Sequence, residues 1–109
     1  DFAIVGIGCY DANGKNFKEW RENVLYGWND ATDVPLERWN ETVKNIFADN
    51  IGYYIENLEF PCLKFKIPPK ILKEIDRSQL LALVAAEEAI EDYGKEKIES
   101  TKTGVFVGE

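Results

Sequence analysis

Cys9 and Cys62 are the two thiols of this sequence, and either could in principle attack an electrophilic carbon. A thiolate forms near neutral pH only beside a base or a cation. The sequence has no histidine, and the first basic residue near Cys9 is Lys15. Cys62 sits between Pro61 and Leu63, which suits packing. Neither thiol is expected to be catalytic. The absence of histidine also removes Ser-His-Asp and Cys-His machinery and most zinc sites. Two cysteines so far apart make no disulfide framework, and both are read as reduced thiols of a cytoplasmic protein.

Gly6-Ile7-Gly8 after an apolar run invites a dinucleotide reading. That fingerprint needs G-x-G-x-x-G running into a helix, and its third glycine position here is Asp11, which would repel a pyrophosphate. No Walker-type loop occurs, and Asn13-Gly14-Lys15 reads as a turn. Glu87, Glu88, Glu91 and Asp92 could form an acid–base or metal cluster, but a charge run of this kind reads as a solvated helix end. Asn40-Glu41-Thr42 matches a glycosylation acceptor without a secretory context. Trp20, Trp28 and Trp39 read as core and interface anchors.

The elements that would position these groups follow from pattern. Residues 2–7, FAIVGI, form a short β-branched run expected to be a buried strand. Asn16 is a helix N-cap with Glu19 three residues on, and Phe17, Trp20 and Val24 share one face, predicting a helix over 17–26 that Gly27 stops. Residues 28–75 hold all four prolines and a group of aromatics between Trp39 and Phe65, an ordered excursion rather than a linker. Within it, residues 52–55 are expected to form a short hairpin arm. Residues 65–69 are expected to be extended because they precede Pro68 and Pro69, and 70–74 to make one helical turn.

Asp76, with Gln79 three residues on, opens the clearest helix, which Gly94 closes. Residues 80–86 are apolar all round, so protein must enclose them. Ala82, Ala85, Ala86 and Ala89 would let another backbone approach closely. Residues 103–108, TGVFVG, read as a second buried strand. The order is strand, helix, excursion, helix, strand: an α/β pattern with too few strands for a complete sheet.

At 109 residues the chain has room for one small domain, and its net charge of −7 lacks the basic footprint of a nucleic-acid binder. No apolar run approaches the roughly 18 residues of a membrane span. Residues 1–5 carry no basic leader, so no secretory signal is expected, and the absence of Met suggests that Asp1 is not a native start. A buried strand within a residue of the last position suggests the opening piece of a larger fold, or one ordered segment of it.

Five stretches, in order, resemble one known family, the β-ketoacyl synthase domains of polyketide and fatty-acid synthases. Ile4-Val5-Gly6-Ile7-Gly8-Cys9 resembles the family's first strand, I-V-G-[MI]-G-C, and residues 17–27 its F-W-x-N-L-x-x-G helix. Val34-Pro35-Leu36-Glu37-Arg38-Trp39 resembles V-P-x-x-R-W. Residues 79–94 follow Q-x-L-L-L-x-x-A-x-E-A-[LI]-E-D-x-G, and residues 103–108 match T-G-V-F-V-G. Residues 65–70 and 75–79 depart from the usual F-F-x-I-S-P and M-D-P-Q-Q. They are more similar to iterative synthases of polyunsaturated fatty acids, enediynes or glycolipids, and the stretch from Trp39 to Phe65 is shorter than usual.

The resemblance implies that residues 1–109 are the N-terminal portion of a single domain. The implied fold is thiolase-like, layered α-β-α-β-α, and incomplete on its own. It implies decarboxylative Claisen condensation through a Cys thioester, with two His, or His and Asn, stabilising the enolate and oxyanion. The family's nucleophile motif does not occur here, and Cys9 matches its non-catalytic cysteine. The resemblance thus places no catalytic, cofactor-binding or metal residue in this sequence, and the segment alone is expected to be inactive. It implies an acyl carrier protein as partner, bearing phosphopantetheine, with no cofactor bound directly. The remainder of the domain is a further partner, as is a second subunit in a homodimer or a heterodimer with a chain-length factor. The other readings are a non-catalytic chain-length-factor subunit, a nucleotide-binding α/β protein and a self-folding interaction fragment.

Overall fold

The longest element is the helix Arg77–Tyr93 (α5), and both of its ends follow local rules. In the computed structural model, which describes residues 1–29, 31–35, 37–46 and 49–108, Asp76 accepts the Ser78 N–H at 2.8 Å as N-cap. At the other end Gly94, at φ 100°, stops the helix in a backbone region that suits glycine. The cap uses Ser78 alone; the expected return from Gln79 is not needed.

Phe17–Leu25 (α1) forms as the sequence predicts. Asn16 Oδ1 accepts the Glu19 N–H at 2.9 Å, and Glu19 Oε2 reaches back to the Lys15 N–H at 3.0 Å. Gly27, at φ 67°, lets its N–H reach the Val24 carbonyl and the Trp28 N–H reach the Asn23 carbonyl, the double bond pattern of a Schellman stop.

The excursion is built from short pieces: Thr32–Asp33 (β1), Glu41–Lys44 (α2), Ile51–Gly52 (β2), Cys62–Phe65 (α3) and Pro69–Leu72 (α4). β1 and β2 pair antiparallel, with Thr32 opposite Gly52 and Asp33 opposite Ile51. This corrects the expected local hairpin over 52–55: the arm is a ribbon between distant residues. The Val34 N–H continues the ribbon to the Asn50 carbonyl at 2.8 Å, and Val34 is 1% exposed.

The extended reading of 65–69 is also corrected. Phe65 ends α3, Lys66 turns left-handed at φ 54°, and only from there does the chain extend into Pro68. The steric effect of proline reaches one residue back, not three. Pro69 then occupies the first turn of α4, where its missing N–H costs nothing. Arginines tie the excursion to α5. The Ile55 carbonyl accepts from Arg38 Nη2 at 3.0 Å and from Arg77 Nη2, while the Arg38 guanidinium lies 5.5 Å from the Tyr54 ring centroid.

The two expected strands are the main difference. Among the described residues β1–β2 is the only sheet, and neither 2–7 nor 103–108 has a ladder partner. Phe2, Ile4, Val5, Val105, Phe106 and Val107 are exposed. A strand is a hydrogen-bonding relation, and these runs find no neighbour within the described chain. Val34 and Leu80 are the buried hydrophobic residues among those described. The chain exposes 9178 Å², against about 6,200 Å² for a folded monomer of this mass. Its radius of gyration is 17.0 Å, against about 13 Å for a closed domain of this length. The layering that the resemblance implies is not seen among the described residues, whose only sheet is the two-stranded β1–β2 ribbon.

Candidate functional site

The tightest place in the molecule is where segment 2–9 crosses α5. A Cβ placed on Gly6 would meet the Ala89 carbonyl oxygen, and one placed on Gly8 would meet the Ala85 carbonyl oxygen and the Ala89 nitrogen. The close approach expected at the alanines thus occurs at Ala85 and Ala89, and it needs glycine on the other side. Hydrogen bonds fix the crossing. The Ile7 N–H donates to Asp92 Oδ2 at 3.0 Å and the Cys9 N–H to Glu88 Oε2 at 2.8 Å. Glu88 Oε1 accepts a third amide, the Phe17 N–H at the start of α1, also at 2.8 Å.

The solvated helix end expected for Glu87, Glu88, Glu91 and Asp92 holds for the exposed Glu91 and Asp92 and is corrected at Glu87 and Glu88. Glu88 is half-buried and acts as a connector, while Glu87 and Glu91 both hold Lys64, at 3.0 and 2.9 Å. The two carboxylates raise the Lys64 ammonium above its ordinary value, chiefly through the hydrogen bond it donates to Glu91. Sequence reasoning missed these roles. The available signal was that four acids crowd the C-terminal half of a helix, where its dipole disfavours them.

Past the crossing, the chain turns at 11–14. Asp11 Oδ1 accepts the Asn13 N–H at 2.7 Å and the Gly14 N–H at 3.1 Å, and the Asp11 and Gly14 backbones also pair. The amides that could cradle a phosphate are thus taken by the turn's own carboxylate. Gly6 and Gly8 face helix backbone at the same time, which leaves a pyrophosphate no close approach to either. The turn borders an open polar cleft of about 440 Å³, lined in part by Tyr10, Lys15, Glu19, Asn23 and Tyr54.

Cys9 lies in this setting, half-buried. Burial pushes its thiol above the ordinary value, and the charges of Asp11 and Glu88 add to the shift. A thiol held protonated in this way is a poor nucleophile. Cys62 begins α3 and is also half-buried, and the described residues contain no disulfide. Among them no group of three His, Cys, Asp or Glu side chains could hold a metal ion. No described helix is long and apolar enough to cross a membrane.

Of the tryptophans, Trp20 is half-buried with its ring stacked on Phe17 at 6.0 Å, Trp39 is half-buried, and Trp28 is exposed. Leu36, in the V-P-x-x-R-W stretch, lies outside the described residues, as does Glu109. The other face of α5 remains open. Ile75, Ala82, Leu83 and Ala86 line one wall of an apolar groove of about 1000 Å³, and Val105 and Val107 the other. Leu83 is exposed, so the enclosure expected for residues 80–86 is met on one side only.

The described geometry thus supplies tightly joined elements and an uncovered apolar face. Comparison with known proteins adds the family. The profile of the "Beta-ketoacyl synthase, N-terminal domain" matches residues 1–109. "Polyketide synthase 37" of Dictyostelium discoideum is 36% identical over 97% of this chain and 4% of its own length. "Polyketide synthase PksN" of Bacillus subtilis is 31% identical over 97% of this chain and 2% of its own. "6-methylsalicylic acid synthase" of Penicillium patulum is 32% identical over 99% of this chain and 7% of its own. The chain therefore spans a small fraction of the relatives it matches. No solved structure matches it.

Proposed function

The chain belongs to the β-ketoacyl synthase family, and on that premise we propose that residues 1–109 are the opening portion of a ketosynthase domain that makes carbon–carbon bonds in polyketide synthesis. The observation that carries this reading is the family match along the whole chain. The geometry supports it in two ways. Apolar segments 2–7 and 103–108 stand beside α5 without strand partners, as pieces of a larger sheet would. The groove along Ala82 and Ala86 is an apolar face awaiting cover.

The reaction is decarboxylative Claisen condensation. An acyl chain is held as a thioester on a cysteine of the parent domain. A malonyl unit on an acyl carrier protein loses CO₂, and the resulting enolate carbon attacks the thioester carbonyl. The new carbon–carbon bond forms as the cysteine thiolate leaves. Cys9 is not that cysteine: it lies half-buried beside Asp11 and Glu88, whose charges disfavour a thiolate. The part of residues 1–109 is structural: to supply α5 and its flanking segments to the fold that holds the nucleophile. The partners are the carrier protein with its phosphopantetheine arm and a second ketosynthase subunit, in the cytoplasm.

The test is to incubate the complete domain with malonyl-carrier protein and an acyl donor. The expected result is CO₂ release together with an acyl group on a cysteine other than Cys9 and Cys62. Decarboxylation without any acyl-cysteine assigns a chain-length-factor role instead. Absence of both overturns the condensing activity.

A further inference from the structure

Carboxylates crowd the C-terminal half of α5, and its first turn holds none. A helix C-terminus carries partial negative charge, so cations belong in its last turns and carboxylates are unfavourable there. α5 has no basic residue in its last turn, yet Glu87, Glu88, Glu91 and Asp92 all fall in this half. A local violation of this kind calls for a compensating gain elsewhere. Glu87 and Glu91 find it in Lys64. Glu88 finds it in main chain: its two oxygens take one N–H each, from Cys9 and Phe17.

Those amides stand at the two ends of segment 9–17, which contains the 11–14 turn. Phe17 is the first residue of α1, and first-turn amides have no acceptor within their own helix. Asn16 serves Glu19, and Glu88 serves Phe17 from another element. The Lys18 N–H, one residue on, has no acceptor among the described residues. The Glu88 carboxylate thus complements the dipole of α1, whose N-terminus favours an anion. Lys18 on α1 and Glu91 and Asp92 on α5 line the same cleft as Glu88, and Asp11, in the turn, faces the Cys9 thiol together with Glu88.

We infer that Glu88 is a two-point strut, a single carboxylate that joins segment 2–9, α1 and α5 and pins segment 9–17, which carries Cys9, against α5. The strut is local. Its removal frees that segment from α5 and exposes the Cys9 thiol while the 11–14 turn, α1 and α5 keep their internal hydrogen bonds. The inference concerns assembly of these elements and does not depend on which reaction the parent domain performs.

Residue-resolved native-state hydrogen exchange on the full-length protein carrying this segment tests it. In the unsubstituted protein the Phe17 amide should exchange about tenfold or more slowly than the adjacent Lys18 amide, a contrast that a bare helix N-terminus does not show. E88A should remove that protection at both Cys9 and Phe17, leave amides 80–86 unchanged, and speed alkylation of Cys9. E88Q keeps one acceptor oxygen and should lose protection at one of the two amides. Equal exchange at Phe17 and Lys18 overturns the strut, and so does E88A with both amides still protected. Should E88A fail to fold, the Phe17–Lys18 contrast in the unsubstituted protein still decides.

Discussion

α5 carries the same small-residue spacing on two adjacent stripes, and the described chain closes only one of them. Ala85 and Ala89 lie four residues apart and receive the backbone of Gly6 and Gly8. Ala82 and Ala86, also four apart, open into a groove whose far wall is Val105 and Val107. Alanine permits contact on both stripes, so alanine does not decide which is filled. The facing segment does. Two glycines spaced by two put bare backbone toward the helix, whereas two valines with the same spacing hold their backbone away with branched side chains. The first stripe is therefore a finished crossing, and the second is an apolar wall that needs a further element against it.

The comparison is broken or sharpened by substitution in the complete domain, followed by chemical denaturation. G8A should have the largest effect, a loss of about 3 kcal/mol, because the new Cβ meets the Ala85 carbonyl on a helix that cannot yield. A small loss would mean that the crossing is loose and the two stripes are alike. A82L should cost about 2 kcal/mol if the parent domain fills the groove tightly. No loss at Ala82 would show that this stripe stays open.

K66G lies away from both stripes and should add about 1 kcal/mol by relieving the left-handed turn at φ 54°. It calibrates global stability independently of either face. D76N should have the smallest effect. Hydrogen bonds from the Ser78 side chain and backbone hold the Asp76 carboxyl below its ordinary value of 3.8. A lowered folded value means stabilisation that is present above 3.8 and lost as pH falls through the folded value. The melting temperature of the unsubstituted domain should thus exceed that of D76N at neutral pH, and the gap should close in acid.

The sequence was most legible where structure is decided locally. Asn16 and Gly27 bound α1, Asp76 and Gly94 bound α5, and each works through its neighbours in sequence. The alanines announced a close approach, although not which pair would receive it. What escaped was non-local. The β1–β2 ribbon pairs residues far apart through strands of two residues, too short for any periodicity. The short helix Cys62–Phe65 was hidden by two prolines whose influence ends sooner than expected. Residues 2–7 and 103–108 carry the apolar composition of strands, but composition says nothing about where their partners lie. At the crossing, the glycines read as a strand that turns tightly and the acids as a wet surface. Only their juxtaposition shows that they join the same elements.

The central proposal is that residues 1–109 are part of a ketosynthase domain whose other elements cover the open stripe and pair the segments that have no ladder partner among the described residues. Scanning calorimetry of the 109-residue chain by itself tests this most directly. The account predicts a broad, weak signal without a cooperative transition, because few side chains are buried and two apolar segments lack partners. A sharp two-state melt from a monomer would contradict it.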